Sequence, residues 1–238
     1  MFIFKAFRAI DDLESSMKYA EGHANVLREY GITKVTSSNN EWMHNPYVYV
    51  VTVEDSLTGM IVSGVRIHIA NRDYPLPLEE ALAKTDRRVY DLVDIYRENG
   101  TGEVSGLWNS KSISGYGIGS LFLSRTAVAI ASQLKLGSLL ALCSKHTLQT
   151  TLDKGFQVEE SIGNKGKFFY PTKDLISTCA VLRDVQNIPL ALPEEKKFIF
   201  HLRKNIKSVM LEDSPKGKIE IRYQLFIENP NWRLDLCL

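Results

Sequence analysis

An α/β fold of the α+β kind is predicted by three features of the chain. Residues 47–53 are rich in β-branched and aromatic side chains, Ser56-Leu57-Thr58-Gly59 forms a turn, and residues 60–69 alternate, so 47–69 spells an antiparallel hairpin. Residues 103–108 are strand-like and run into the glycine-punctuated Ser114-Gly115-Tyr116-Gly117-Ile118-Gly119-Ser120. The stretch that follows, 118–134, carries Leu121, Val128, Ala129, Ile130, Ala131 and Leu134 on more than one side, the pattern of a helix buried against a sheet.

The remaining elements follow in order. Residues 2–7 form a first strand, and Leu13, Met17, Ala20, Ala24 and Leu27 recur at three and four positions, marking the packed face of a helix that ends before Gly31. After Pro75 and Pro77, an amphipathic segment keeps Leu78, Leu82, Val89, Leu92, Val93 and Tyr96 at helical spacing, breaks near Thr85-Asp86 and stops at Asn99-Gly100. Residues 138–143 read as a strand, 146–154 as a short helix and 176–182 as another strand. A linker at 185–192 leads to Pro193, a residue tolerated in a first helical turn. Phe198, Leu202, Ile206 and Val209 or Met210 then continue a helical stripe, followed by the turn Pro215-Lys216-Gly217 and a strand at 219–227.

Composition narrows the function classes. With 238 residues and 44% apolar content the chain can bury one large core. A formal net charge of +1 gives no footprint for nucleic acid. The cluster Lys196, Lys197, Arg203, Lys204 and Lys207 shares its segment with Glu194 and Glu195; a solvated helix face and a surface for an acidic carrier protein both fit it. The opening apolar run gives way to Arg8, Asp11 and Asp12 where a signal peptide would continue, and no stretch reaches a membrane span of about 20 apolar residues, so a cytoplasmic location is expected. Cys143, Cys179 and Cys237 are odd in number and widely spaced, which points to reduced thiols and away from a disulfide framework or a metal cluster.

The glycine run has the context of an anion cradle. Glycines let main-chain N–H groups approach an anion, and the first turn of the following helix adds unpaired N–H groups and the positive end of its dipole. An ordinary tight turn is the plainer alternative. There is no Gly-Lys-Ser/Thr ending for a nucleoside triphosphate, and the glycines are spaced too tightly for a dinucleotide fingerprint.

These residues resemble the acyl-CoA-binding core of the Gcn5-related N-acetyltransferase (GNAT) superfamily, whose signature is a strand, then Arg/Gln-x-x-Gly-x-Gly/Ala, then a helix. Residues 103–109 resemble its fourth strand and residues 114–119 its loop, with the glycines in register; Gly155-Phe156 resembles the pair that closes its later helix. The resemblance covers about residues 2–183 and is strongest over 102–156. It implies a central mixed, mostly antiparallel sheet flanked by helices, a core at 1–183 with a helical insertion at about 73–100, and a helix–strand extension at 184–238, serving as an arm or as an interface in a homodimer. The Glu-Val-Ser strand, the insertion and the extension are similar to the branch of acyl-homoserine-lactone and N-acyl amino acid synthases. The insertion fits a pocket wall and a packing helix equally.

The resemblance implies acyl transfer from acetyl-CoA, a longer acyl-CoA or acyl carrier protein to the amine of a small metabolite, without a metal. Main-chain N–H groups of Gly115, Tyr116, Gly117, Ile118, Gly119 and Ser120 would hold the pyrophosphate, with the Ser120 hydroxyl as a further donor. Leu107, Trp108 and Asn109 would line the pantetheine arm, Trp108 as pocket wall or core and Asn109 in a place to orient a polar acceptor. A main-chain N–H there would polarise the thioester oxygen as charge develops. Glu103 is the candidate base, with a surface glutamate at a strand start as its alternative. Ser114 stands where the family has Arg or Gln, Ser144 where Asn is common, and Thr151 where a tyrosine acid is common, so the acid is left open among His146, Tyr116 and direct thiolate departure. Acylation of proteins and a catalytically silent acyl-CoA-binding module are the competing readings.

Overall fold

The computed structural model describes residues 1–31, 40–228 and 230; Cys237 and the rest of the expected C-terminal segment beyond residue 230 lie outside them. Ten strands join in one sheet: β1 (Phe2–Arg8), β2 (Val48–Asp55), β3 (Met60–Ile69), β4 (Thr101–Asn109), β5 (Ser138–Ser144), β6 (Gln157–Val158), β7 (Lys167–Phe169), β8 (Ile176–Leu182), β9 (Lys207–Ser214) and β10 (Gly217–Gln224). Their order is β6-β8-β5-β4-β3-β2-β1-β10-β9, with β7 also on β8. All neighbours are antiparallel except β4 with β5 and β1 with β10, so the sheet is mixed and mostly antiparallel.

Helices cover both faces. On one side α4 (Ser124–Gln133) and α6 (Pro193–Lys204) bury Ile130, Ile199 and Leu202 with Val65 and Ile67 of β3 in the largest apolar cluster. The other side carries α1 (Leu13–Glu29), with Tyr19 packed among Trp42, Val50 and Trp108. Beside it, α2 (Pro77–Leu82) and α3 (Arg88–Arg97) bury Leu78, Val89 and Val93 against Leu140. A short helix, α5 (Lys145–Leu152), follows β5. The segment 73–100 thus holds two helices, broken where Thr85-Asp86 interrupts the pattern and closed at Gly100 with φ of +80°.

Two expectations are corrected. The buried residues of α1 are Ser16, Tyr19 and His23, while Leu13 and Met17 are 40% and 56% exposed. The Tyr19 hydroxyl donates to the Gly106 carbonyl and its ring meets the edges of Trp42 and Trp108, so aromatic packing and a buried hydrogen bond turn the helix away from its aliphatic stripe. The helical stripe predicted through residues 206–210 ends at Lys204; Val209 and Met210 lie in β9, which pairs with β10 along its whole length. Apolar residues at those positions satisfy either period, and the Pro215-Lys216 turn decides for a hairpin.

A buried ion pair ties the C-terminal segment to the core. Arg125 of α4 donates to both carboxylate oxygens of Glu195 in α6, at 2.8 and 2.6 Å, and Lys154 Nζ stands 3.7 Å from the same group. Burial alone would raise the Glu195 pKa; Arg125 and Lys154 hold it below its ordinary value. Replacing Glu195 with Gln leaves two buried cations facing a neutral group, and the expected loss is about 3 kcal/mol, read by urea unfolding.

The strand that matters most is β4. Ser105 is registered with Arg66 and Trp108 with Gly64, so Gly106 and Leu107 together oppose the single residue Val65. Gly106 adopts φ of +60°, and a Cβ there would lie 2.6 Å from Tyr19 Oη and 2.8 Å from Arg66 Nη2. Gly106→Ala is therefore expected to cost at least about 1 kcal/mol and to lower the midpoint of thermal unfolding by several degrees, about 2–4 °C per kcal/mol, in a calorimetric scan.

Candidate functional site

Beyond β4 the chain makes a short helical turn, Lys111–Ile113, and then enters the glycine run. Gly117, with φ of +71°, is the left-handed residue from which the helix starts. Its carbonyl accepts from Leu121 N at 2.9 Å and Phe122 N at 3.2 Å, so the first turn, Ile118–Leu123, is the wide π type before α4 continues. A helix's first N–H groups have no intrahelical acceptor, and here Ile118, Gly119 and Ser120 supply them, with Ser120 exposed. Gly119 has a packing reason of its own: a Cβ there would lie 2.7 Å from Asn109 Oδ1. Asn109 is in turn 2.6 Å from Ser63 Oγ, so it braces β3, β4 and the start of the helix.

The pairing of β4 with β5 lasts only from Thr101↔Ser138 to Val104↔Ala141. Past that point the bulged half of β4 and the end of β5 separate around a cavity of about 270 Å³. Its walls are Val104, Ser105, Gly106 and Leu107 of β4, residues 141–144 of β5, Ser124 and Val128 of α4, Thr147 and Thr151 of α5, and Lys154 and Phe156 after it. His23 and Leu27 of α1 close it from the opposite face of the sheet, and Tyr170 joins them. The cavity therefore passes through the sheet. At a rise of about 1.5 Å per residue, Ser124 lies roughly 9 Å along the helix from Ile118, so a linear chain anchored at the loop can reach the gap.

No protein-family profile matches the sequence, and the comparison with curated proteins finds no relative. Solved structures do share its architecture. FeeM, an N-acyl amino acid synthase from uncultured soil microbes, aligns with a TM-score of 0.58 at 13% identity, covering 83% of this chain and 98% of that one. BjaI, a CoA-dependent acyl-homoserine lactone synthase solved with SAM and isopentyl-CoA, aligns with a TM-score of 0.58 at 9% identity over 100% of both chains. MesI, another CoA-dependent acyl-homoserine lactone synthase, aligns with a TM-score of 0.52 at 11% identity over 86% of this chain and 95% of that one. The chain has the GNAT fold.

Within this GNAT fold the sequence-predicted residues fall into three groups. The glycine run and Leu107 lie at the loop and the gap. Trp108 is 4% exposed and packs on Tyr19, with ring centroids 5.9 Å apart, on the α1 side, which makes it core. Glu103 is 3% exposed and does not line the cavity; its carboxylate accepts from Leu78 N at 2.7 Å, at the start of α2. Burial pushes its pKa up to about 8, opposed by that hydrogen bond and by the Arg66 charge. Ser105, two positions along the same face of β4, does line the cavity, and its hydroxyl has no hydrogen-bond partner among the described residues.

His23, Tyr170 and Lys154 are among the cavity residues that escaped sequence reasoning. His23 is 7% exposed, and burial with the nearby Arg66 charge pushes its pKa down to about 4, so the imidazole is neutral at pH 7. Tyr170 comes from the turn between β7 and β8, whose position no local pattern announces. Lys154 is 2% exposed and donates to the Thr150 carbonyl at 2.7 Å. Thr151 sits in the cavity with Oγ1 3.5 Å from Cys143 Sγ; burial pushes that thiol up to about 11, so Cys143 is no nucleophile at neutral pH. Among the described residues, no group of three His, Cys, Asp or Glu side chains is placed to hold a metal.

The raised carboxyl of Glu103 has a consequence for stability. The folded protein keeps a proton there that the unfolded chain, near the ordinary value of 4.5, has lost, so its contribution is fully present below about pH 4.5 and lost as pH rises through about 8. Glu103→Gln keeps an acceptor for Leu78 and cannot ionise. It should flatten the decline in unfolding free energy between about pH 5 and 8.5 by on the order of 3 kcal/mol, measured by urea titration at each pH.

Proposed function

We propose that the chain is an N-acyltransferase that moves an acyl group from an acyl thioester, with acyl-CoA or acyl carrier protein as donor, to an amine of a small metabolite. The observation that carries this reading is the through-sheet gap between β4 and β5, with a helix start at one end of its approach and neutral groups on its far side. The acyl-dependent enzymes named above, similar in fold, support it.

In this reading the phosphates of the donor rest on the N–H groups of residues 117–120, where an anion offsets the positive end of the helix dipole. The thioester lies in the gap beside Gly106 and Leu107, whose main chain, unpaired with β5, polarises the carbonyl oxygen. The amine enters from the α1 side, past His23 and Ser105. Its nitrogen forms the C–N bond, the C–S bond breaks, and the sulfur leaves as a thiolate that takes its proton from solvent. Glu103 is the proposed base, drawing the amine's proton through a water chain along Ser105; it must be ionised to do so.

Native mass spectrometry with acetyl-CoA and long-chain acyl-CoA tests the donor site. Adducts are expected with the unaltered protein and are expected to fall at least tenfold in Ser120→Trp, a bulky exposed side chain on the first helical turn. If the adducts persist in that variant, the loop is not the donor site. For turnover on a panel of amines, kcat/KM should rise with pH with a midpoint near 8, and Glu103→Gln should abolish that limb. An unchanged profile would remove Glu103 as the base, and donor binding without turnover on any amine would favour a silent binding module.

A further inference from the structure

The C-terminal hairpin ends on the glycine run. Its turn is fixed from within: Ser214 Oγ donates to the Gly217 carbonyl at 2.6 Å and accepts from Lys216 N at 3.2 Å. Pro215 Cδ lies 3.3 Å from where a Cβ on Gly117 would stand. The Lys216 side chain crosses Gly115 so closely that a Cβ there would lie 2.6 Å from Cε and 3.3 Å from Nζ. Lys216 Nζ then rests 5.0 Å from the centre of the Tyr116 ring, whose other neighbour is Phe2 of β1 at 6.1 Å.

We propose that Lys216 is part of the donor site and supplies the cation that neutralises a diphosphate bound at the glycine loop. This rests on the donor-site reading above and extends it to a residue nearly a hundred positions away in the sequence.

Three observations converge on it. First, Lys216 is held over the loop: β10 is registered with β1 from Phe2↔Ile221 to Lys5↔Gln224, and β9 backs β10 along its length. Second, nearby cations are committed elsewhere. Lys218 pairs with Asp213 at 2.8 Å, and Lys111 pairs with Glu29 at 3.3 Å and lies over Tyr30. Among the described residues the Lys216 ammonium meets the ring of Tyr116, an exposed cation–π contact that a phosphate oxygen readily replaces with a stronger charge-assisted hydrogen bond. Third, an ammonium beside the positive end of a helix places two like potentials together, and an anion between them favours both. The glycine at position 115 is then what lets the lysine cross the loop rather than what lets a phosphate approach it.

Isothermal titration of the full chain with CoA and with pantetheine, which has the same thiol arm without phosphate, tests the assignment in Lys216→Ala and Lys216→Arg. Lys216 is exposed at a turn, so both variants should keep the unfolding midpoint of the unaltered protein. The CoA dissociation constant should rise about tenfold in Lys216→Ala and stay within about threefold in Lys216→Arg, while pantetheine binding is unchanged. Equal CoA affinity in Lys216→Ala, or an equal loss for pantetheine, overturns the role of Lys216 and leaves the donor site standing. Failure of the unaltered protein to bind CoA at all overturns the donor site as well.

Discussion

Everything at the site depends on β4 being able to pair with β5 for four residues and then leave it. A parallel pair would ordinarily satisfy its main-chain groups along its whole length, and buried N–H and C=O groups without partners are costly. Here the bulge at Gly106 and Leu107 bends β4 away after Val104, so the outer half of both strands faces a cavity instead of a neighbour. Tyr19 holds the bulge from beneath through the Gly106 carbonyl, and Arg66, sandwiched against the Trp42 ring at 4.3 Å, fills the space a Cβ on residue 106 would need. The gap is thus built by packing on the α1 side, and it is walled by α1 on one face of the sheet and by α4 on the other.

The strand, glycine-marked turn and helix beside the gap were legible in the sequence because their signals are local. A strand, a glycine-marked turn and an apolar helix lie within about thirty consecutive residues, and each has a period or a backbone requirement of its own. The β8 strand and the proline that opens α6 were legible for the same reason. The α1 side was not. Which face of α1 is buried depends on Trp42, Arg66 and Trp108, three residues from three other segments, and their demand for aromatic and polar contact overrode the spacing of Leu13 and Met17. The place of β10 beside β1 sets Phe2 against Ile221, a pairing across almost the whole chain that no window of sequence contains. That pairing carries Lys216 to the glycine loop.

The buried charges show how the two ends of the chain share one electrostatic design. Lys154 lines the cavity yet is nearly inaccessible, and burial lowers its pKa; Glu195, delivered by α6 to 3.7 Å from its Nζ, opposes that. On the other face Glu103 and Arg66 lie inside the sheet's α1–α2 layer, where burial drives the Glu103 carboxyl towards its neutral form, and burial together with the guanidinium charge keeps His23 unprotonated. Apart from Lys154, the cavity is bordered by the His23 imidazole, neutral at pH 7, by hydroxyl and thiol groups, among them the Ser105 hydroxyl, which has no hydrogen-bond partner among the described residues, and by aliphatic and aromatic side chains. That is a lining suited to an uncharged thioester and to an amine in its reactive, unprotonated form.

A crystal structure of the protein with a thioether analogue of a long-chain acyl-CoA, which cannot transfer its acyl group, addresses the assignment of the donor site most directly. The sulfur is expected in the gap between Leu107 of β4 and residues 142–143 of β5, with the diphosphate against the N–H groups of residues 117–120. An analogue bound in full occupancy elsewhere, with β4 and β5 still enclosing an empty cavity, would contradict that assignment.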